Sequence, residues 1–507
     1  MRRWASLAAL LSAAALAYPV EVIQSSGPPE KRIDIAVLGD GYRDADQAKL
    51  SDDARTAIEG LFSITPYREY RGLFNVKLVH VVSRENGADD GSYGAARDTA
   101  LDASYGCQNT DRLLCVDPAK AVQAAMNDVP EYDFIVVVVN DPKYGGSGGS
   151  LTVISTAPAA VNLLRHELSH SVAELADEYE ASFDFPACDP QADCPEPNAT
   201  VRSTRGGAKW ASWIDSSTPV PTPAGQGLEG IGLYEGCRYE AKGVYRPKDE
   251  GCLMRSFTST PSFCSVCSEG LVRAFWRRAS AFDGLAPAAD APLDSCQANT
   301  FSVTHPPIAE SQWWHLWSVD GVPQAGDSTS FTLPADPSLS YGPHKVELLA
   351  EDRTPLVRGD PDGRLGETAG WTVKGCTPGP CDVTASCDGA TCERTFQPAG
   401  TSCAKARCEG GRAYGPASCD ASGSCASGSV ACAPYACDPN GPSCLTSCTA
   451  DADCDPAGQC RSGACVPRPT SAKAGSCGGC GEAGGLGGWA ALAAATWWRR
   501  RRRARGP

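Results

Sequence analysis

RHELSHSVAELADEYE, residues 165–180, is the stretch on which the reading of this chain turns. His166 and His170 stand four residues apart with Glu167 between them, and the acids Glu174, Asp177 and Glu178 follow. The wider segment 158–179 has the apolar spacing of a helix opened by Pro158. On a helix the four-residue spacing stacks both imidazoles on one face and turns Glu167 away by about 100°. Two neutral imidazoles and a nearby carboxylate are what a hydrolytic zinc ion requires: two ligands and a group that takes a proton from its water. A third protein ligand is needed, and the motif does not supply it. A helix rises 1.5 Å per residue, so on an unbroken helix Asp177 would lie about 10 Å beyond His170. Either the helix stops soon after His170 and the chain folds back, or a carboxylate arrives from a later element.

The surroundings of the motif alternate between strand and helix. RIDIAVL (32–38), NVKLVHVVS (75–83), DFIVVVVN (133–140) and LTVIS (151–155) read as strands, and 44–64 reads as a helix with Asp44 at its N-cap. Residues 18–290 are therefore expected to form an α/β domain with a substantial core. Residues 291–375 change texture to short alternating segments between Pro, Gly and Asp turns, the pattern of a small all-β sandwich similar to immunoglobulin-like modules. In 376–466 cysteines crowd a stretch too poor in apolar residues to build a core, which marks a disulfide-stapled module. Residues 467–476 read as a linker.

Both termini read as addresses. Arg2 and Arg3, the apolar run to Leu16 and the small residues before Tyr18 make residues 1–17 a signal peptide. Residues 477–507 join a Cys477/Cys480 glycine cluster, an apolar stretch and the arginines Arg499–Arg503. This end resembles the C-terminal sorting tag of myxobacterial surface proteins. The resemblance implies a processing protease acting near Cys477 or Cys480, contact with the membrane through the tag alone, and a body exported to the cell surface (the outer membrane) or secreted. The whole chain carries −15, and the two addresses hold eight arginines against one acid, so the body between them is more acidic still. That excludes nucleic acid and anionic lipid as natural partners of the body. In an exported chain most of the 26 cysteines are expected in disulfides, Cys264-x-x-Cys267 included.

The helix motif belongs to a longer pattern. His166-Glu167-Leu-Ser-His170 followed by Leu175-Ala176-Asp177-Glu178-Tyr179 resembles the IgA metallopeptidase family, as do LGDGY (38–42), FNVKLVHVVSRENGADD (74–90), VVVNDPKYGGSGG (137–149), YRPKDEGCLMRSF (245–257) and FCSVC (263–267). The resemblance implies a metzincin-like zincin with one catalytic Zn²⁺, in which an aspartate takes the place of the usual third histidine. Carried onto this chain that residue is Asp177, one position later than the metzincin spacing, with Glu178 as second choice. Ala173 stands where the usual turn glycine would be. The same resemblance puts Met254 in a turn beneath the zinc histidines. Tyr179 and Tyr245 are candidate donors to a developing oxyanion. His80, inside an alternating strand, reads as structural, and Gly145–Gly149 as the rim of a substrate cleft.

These readings converge on an exported zinc endopeptidase acting on proteins or peptides, with Glu167 as general base. The alternative is a surface adhesion protein on an inactive peptidase scaffold, which would have no use for Glu167. The resemblance does not fix the substrate.

Overall fold

The computed structural model describes residues 17–468 apart from 92, 93, 95, 182–185, 229, 258–260 and 309–311. The expected signal peptide and sorting tag, with Cys477 and Cys480, therefore lie outside the described residues, Ala17 excepted. No helix among the described residues is long and apolar enough to cross a membrane.

Strands form where β-branched and apolar residues run without interruption. Val20–Gln24 (β1), Ile33–Asp40 (β2) and Phe74–Val79 (β3) come first, and the helix Gln47–Leu61 (α1) lies between β2 and β3. A short 3₁₀ turn at Asp44–Asp46 precedes α1, so the helix is capped at Asp46, two residues later than the Asp44 cap implied. Ser104–Tyr105 (β4) and Leu114–Cys115 (β5) pair in a small hairpin tied by the Cys107–Cys115 disulfide. Pro118–Asp128 (α2), capped by Asp117, leads into Phe134–Val139 (β6), and Gly146–Ser147 (β7) and Thr152–Ser155 (β8) follow. The six-stranded sheet runs β1-β3-β2-β6-β8-β7. Its four central strands are parallel, and β1 and β7 close the two edges antiparallel. Every residue of β2 and β6 is buried, as expected of central strands covered on both faces.

Alternation along β2 sorts the two cores. Ile33, Ile35 and Val37 face a core shared with α1, with the motif helix Ala160–Ala173 (α3) and with Ser265–Trp276 (α4), whereas Ala36 and Leu38 face α2. Between α3 and α4 the chain makes a hairpin of Tyr234–Cys237 (β9) and Glu240–Arg246 (β10). α3 is fixed on α1 by Arg165, whose buried guanidinium donates to the Gly60 carbonyl at 2.6 Å and to the Ser63 hydroxyl at 2.7 Å.

Gly284–Ala286 (β11), Leu293–Asp294 (β12), Asn299–Thr304 (β13), Trp313–Val319 (β14), Val322–Pro323 (β15), Ser330–Leu333 (β16), Pro343–Asp352 (β17) and Gly366–Lys374 (β18) build two further sheets. Their orders are β11-β13-β16 and β12-β18-β17-β14-β15. Phe301, Trp317 and Trp371 fill the space between them, and the two tryptophan rings stack with centroids 5.7 Å apart. The first strand of this region precedes the expected boundary at 290, because β11 pairs with β13. Nor is that boundary a division between compact units, for residues 17–379 and 384–394 form one unit. Asp352, at the end of β17 and wholly buried, explains why. Its Oδ2 accepts from Tyr70 Oη at 2.6 Å and from Trp276 Nε1 at 3.0 Å, both side chains of the α/β region. Asp352→Ala is expected to lower stability by about 3 kcal/mol, since it leaves two buried donors unpaired. The measurement is the denaturation midpoint by tryptophan fluorescence, and an unshifted midpoint would contradict this account.

The second unit, residues 380–383 and 395 onward, is made of two- and three-stranded ribbons held by disulfides such as Cys408–Cys437 and Cys448–Cys460. Its small clusters are centred on the cystines themselves, as a segment without a large apolar core requires.

Candidate active site

α3 ends at Ala173, six residues short of the helix read from the sequence. Glu174 adopts the left-handed conformation (φ 57°, ψ 36°), and its N–H closes the helix on the His170 carbonyl. The spacing of one residue more than the metzincin pattern thus moves the turn from 173 to Glu174, a non-glycine residue in a glycine-favouring conformation. The chain then doubles back. Asn198 braces the return, accepting from Ala176 N at 2.7 Å and donating to the Ala176 carbonyl at 2.9 Å.

The turn brings Asp177 to the histidines. His166 Nε2 and His170 Nε2 are 3.2 Å apart, and Asp177 Oδ1 lies 2.9 Å from the first and 3.5 Å from the second. Each ring is oriented through its other nitrogen: His166 Nδ1 to the Leu253 carbonyl at 2.8 Å, His170 Nδ1 to the Leu175 carbonyl at 2.6 Å. With Nδ1–H donated to backbone, each neutral imidazole presents a lone pair at Nε2. Asp177 Oδ1 is buried and meets no donor other than the two imidazoles, while Oδ2 accepts from Tyr239 Oη. Three acceptors therefore face one point. Ligand bonds of about 2.0–2.1 Å in a tetrahedral shell put donor atoms about 3.3 Å apart, so the residues present fit a small divalent cation. A proton can serve the same end: burial pushes the His170 imidazolium down, but hydrogen bonding and attraction from Asp177 pull it up to about 9. Burial likewise raises the Asp177 carboxyl, and the two histidines more than reverse this, holding it well below the usual carboxylate range.

Met254 is fully buried in the turn after Cys252, where Arg255 N and Ser256 N both return to the Cys252 carbonyl. Its carbonyl accepts from Glu178 N at 2.7 Å, and Leu253 beside it holds His166. Glu178 is wholly buried and turned to Asn198 and Cys267, away from the three-acceptor cluster, so the second-choice ligand is not brought to it.

A cleft of about 460 Å³ opens over His166, Glu167, His170 and Asp177, and a smaller lobe of about 260 Å³ shares His166, Glu167 and Tyr179 with it. Ser147, Gly148 and Gly149 form part of the rim, as the glycine loop suggested. Gly148 leaves room for Glu167, because a Cβ there would overlap the carboxylate and that side chain would have to shift. Gly148→Ala is expected to lower kcat by about 10–100-fold through displacement of Glu167, with metal content unchanged. Equal kcat in the two proteins would show that the carboxylate has room to yield.

Tyr179 lines both lobes, whereas Tyr245 lies in β10 bonded through its backbone to Thr200 and lines neither among the described residues. The tyrosine the sequence did not single out is Tyr239, which packs edge-on to Tyr179 at 5.6 Å. Burial first, and then the charge of Asp177, raise both hydroxyls above their ordinary value, so both stay protonated donors. Phe257, also missed, stands edge-on to His166 at 5.7 Å and walls the smaller lobe. His80 bonds Gln47 and Glu21, consistent with a structural residue.

The family model of the IgA Peptidase M64 matches residues 21–228 and 224–275, half the chain and the whole of the region that builds this cleft. The chain belongs to the IgA Peptidase M64 family. M64 membership makes it a peptidase, and members of this family are metallopeptidases, in keeping with the three convergent acceptors. No curated protein matches the chain.

Proposed function

We propose that this M64 peptidase is an exported zinc endopeptidase with a metzincin-like site, His166, His170 and Asp177 being the protein ligands of one Zn²⁺. The observation that carries the reading is the meeting of His166 Nε2, His170 Nε2 and the buried Asp177 Oδ1 at one point on the cleft floor. Zinc bound there supplies Lewis acidity, lowering the pKa of a water and polarising a peptide carbonyl. Glu167, next to His166 and open to the cleft, takes the proton of the attacking water on its carboxylate and delivers it to the leaving amine nitrogen. Tyr179 Oη is the donor nearest in kind to what a developing oxyanion needs, and Tyr239 orients Asp177 from behind. Met254 packs under the histidines as the turn residue. Two lobes meeting at Glu167 leave room for polypeptide on both sides of the scissile bond, which supports cleavage within chains.

The remaining assignments belong to the same proposal. The β-sandwich is Ig-like, and it and the disulfide module present the peptidase at the cell surface or in the medium. Neither nucleic acid nor membrane is a partner of the body.

The deciding experiment treats the full chain, folded under oxidising conditions, with a chelator and then with zinc, and follows cleavage of a mixed peptide library. Chelation is expected to abolish cleavage and stoichiometric zinc to restore it. A folded, zinc-replete protein that cuts nothing would transfer the reading to adhesion.

A further inference from the structure

Ten disulfides pair the cysteines of the described residues except Cys237, Cys252, Cys264 and Cys267, which are free thiols and buried. This corrects the expectation that Cys264 and Cys267 are disulfide-bonded. Three of the four thiols meet. The Sγ atoms of Cys252, Cys264 and Cys267 and a carboxylate oxygen of Glu178 all lie within 4.8 Å of one another, and all four residues are buried. Cys252 Sγ and Cys267 Sγ are 3.7 Å apart, nearly twice the length of a disulfide bond of about 2.05 Å. Thiolates about 2.3 Å from a tetrahedral cation stand about 3.8 Å from each other, so the separation is that of two ligands on one ion. Cys267 Sγ is 3.1 Å from Glu178 Oε1, and Glu178 Oε2 is buried without a hydrogen-bond partner. A buried carboxylate with one oxygen unpartnered beside three thiols is costly unless it takes up a proton or a positive charge sits among them.

We propose that Cys252, Cys264, Cys267 and Glu178 hold a second, structural zinc ion distinct from the catalytic site. The donor set explains its nature: three soft sulfurs select zinc over magnesium or calcium, and four protein ligands leave no open position for a substrate or water. Its placement explains its use. Glu178 directly follows Asp177, Cys252 opens the turn whose Leu253 carbonyl orients His166, and Cys264 and Cys267 begin α4. One ion thus joins the returning ligand loop, the methionine turn and a core helix. Disulfides join residues in pairs, and a metal can join all three segments at once.

The test uses the full chain folded under oxidising conditions with zinc present and then freed of loose metal. The wild type is expected to hold about two zinc equivalents, His166→Ala/His170→Ala about one, and Cys264→Ser/Cys267→Ser about one. Alkylation of the denatured wild type in chelator without reductant should label Cys252, Cys264 and Cys267 together with the free Cys237. Since the cysteine variant could fail by misfolding, a second measurement is made on the histidine variant. Loaded with cobalt(II), it should show a thiolate-to-cobalt charge-transfer band, which imidazole and carboxylate ligands do not give. Labelling of the three thiols only after reduction, or a metal-free histidine variant, would overturn the second site and leave the catalytic reading standing. Conversely, a histidine variant that keeps all the metal of the wild type would remove the catalytic zinc and leave this site in place.

Discussion

Glu167→Ala is expected to keep the full metal content of the wild type while kcat/KM falls by about 10²–10⁴-fold, the range over which a positioned acid–base group acts. The argument is one of placement. Glu167 lies between two histidines whose rings are locked by the Leu253 and Leu175 carbonyls, and its own carboxylate occupies space that a side chain at Gly148 would fill. It contributes nothing to the three-acceptor cluster, so its removal should not release the ion. It is, however, the carboxylate that borders both lobes of the cleft, where a water and a leaving amine would have to exchange a proton. Metal analysis beside peptide kinetics checks the split. Cleavage at the wild-type rate in a metal-replete variant would take Glu167 out of the mechanism.

The second large effect concerns Asp177. Replacing a residue that merely orients a ligand costs about 10–100-fold in metal affinity. On the proposed reading Asp177→Ala removes a ligand itself and should exceed that range, with activity lost in proportion. The turn at Glu174 and the Asn198 brace do not depend on the Asp177 carboxylate, so the variant is expected to fold. Zinc titration against a competing chelator, with circular dichroism as the control for folding, decides the point. If zinc affinity is unchanged, another donor completes the site.

What the sequence made legible was the chemistry that repeats with a short period. His166, Glu167 and His170 are read from four-residue helical spacing, and β2 and β6 from unbroken apolar runs, because each signal lies within a single element. The end of α3 was not legible. Its left-handed residue is a glutamate, and nothing in the local preference of Glu174 announces a turn; Asn198, some twenty residues on, supplies the bracing. Tyr239 was missed because it reaches Asp177 across 62 residues, while Tyr245, which opens the family-like segment 245–257, pairs through its backbone with Thr200. Cys264 and Cys267 were misread for a related reason. Their fates are set by Cys252 and Glu178, which no spacing rule connects to them.

The shared hydrogen-bond node at Asp352 bears on how such an enzyme can be divided. Tyr70 and Trp276 belong to the region that carries the cleft, yet the acceptor that quiets their buried polar atoms comes from a strand some seventy-six residues past Trp276. A chain cut after residue 290 would keep every residue that lines the cleft and would still present a raw apolar flank around two orphaned donors. Its smallest soluble form should therefore extend through the sandwich, and a lineage that traded this sandwich for another module would have to replace the peptidase surface beneath it in the same step.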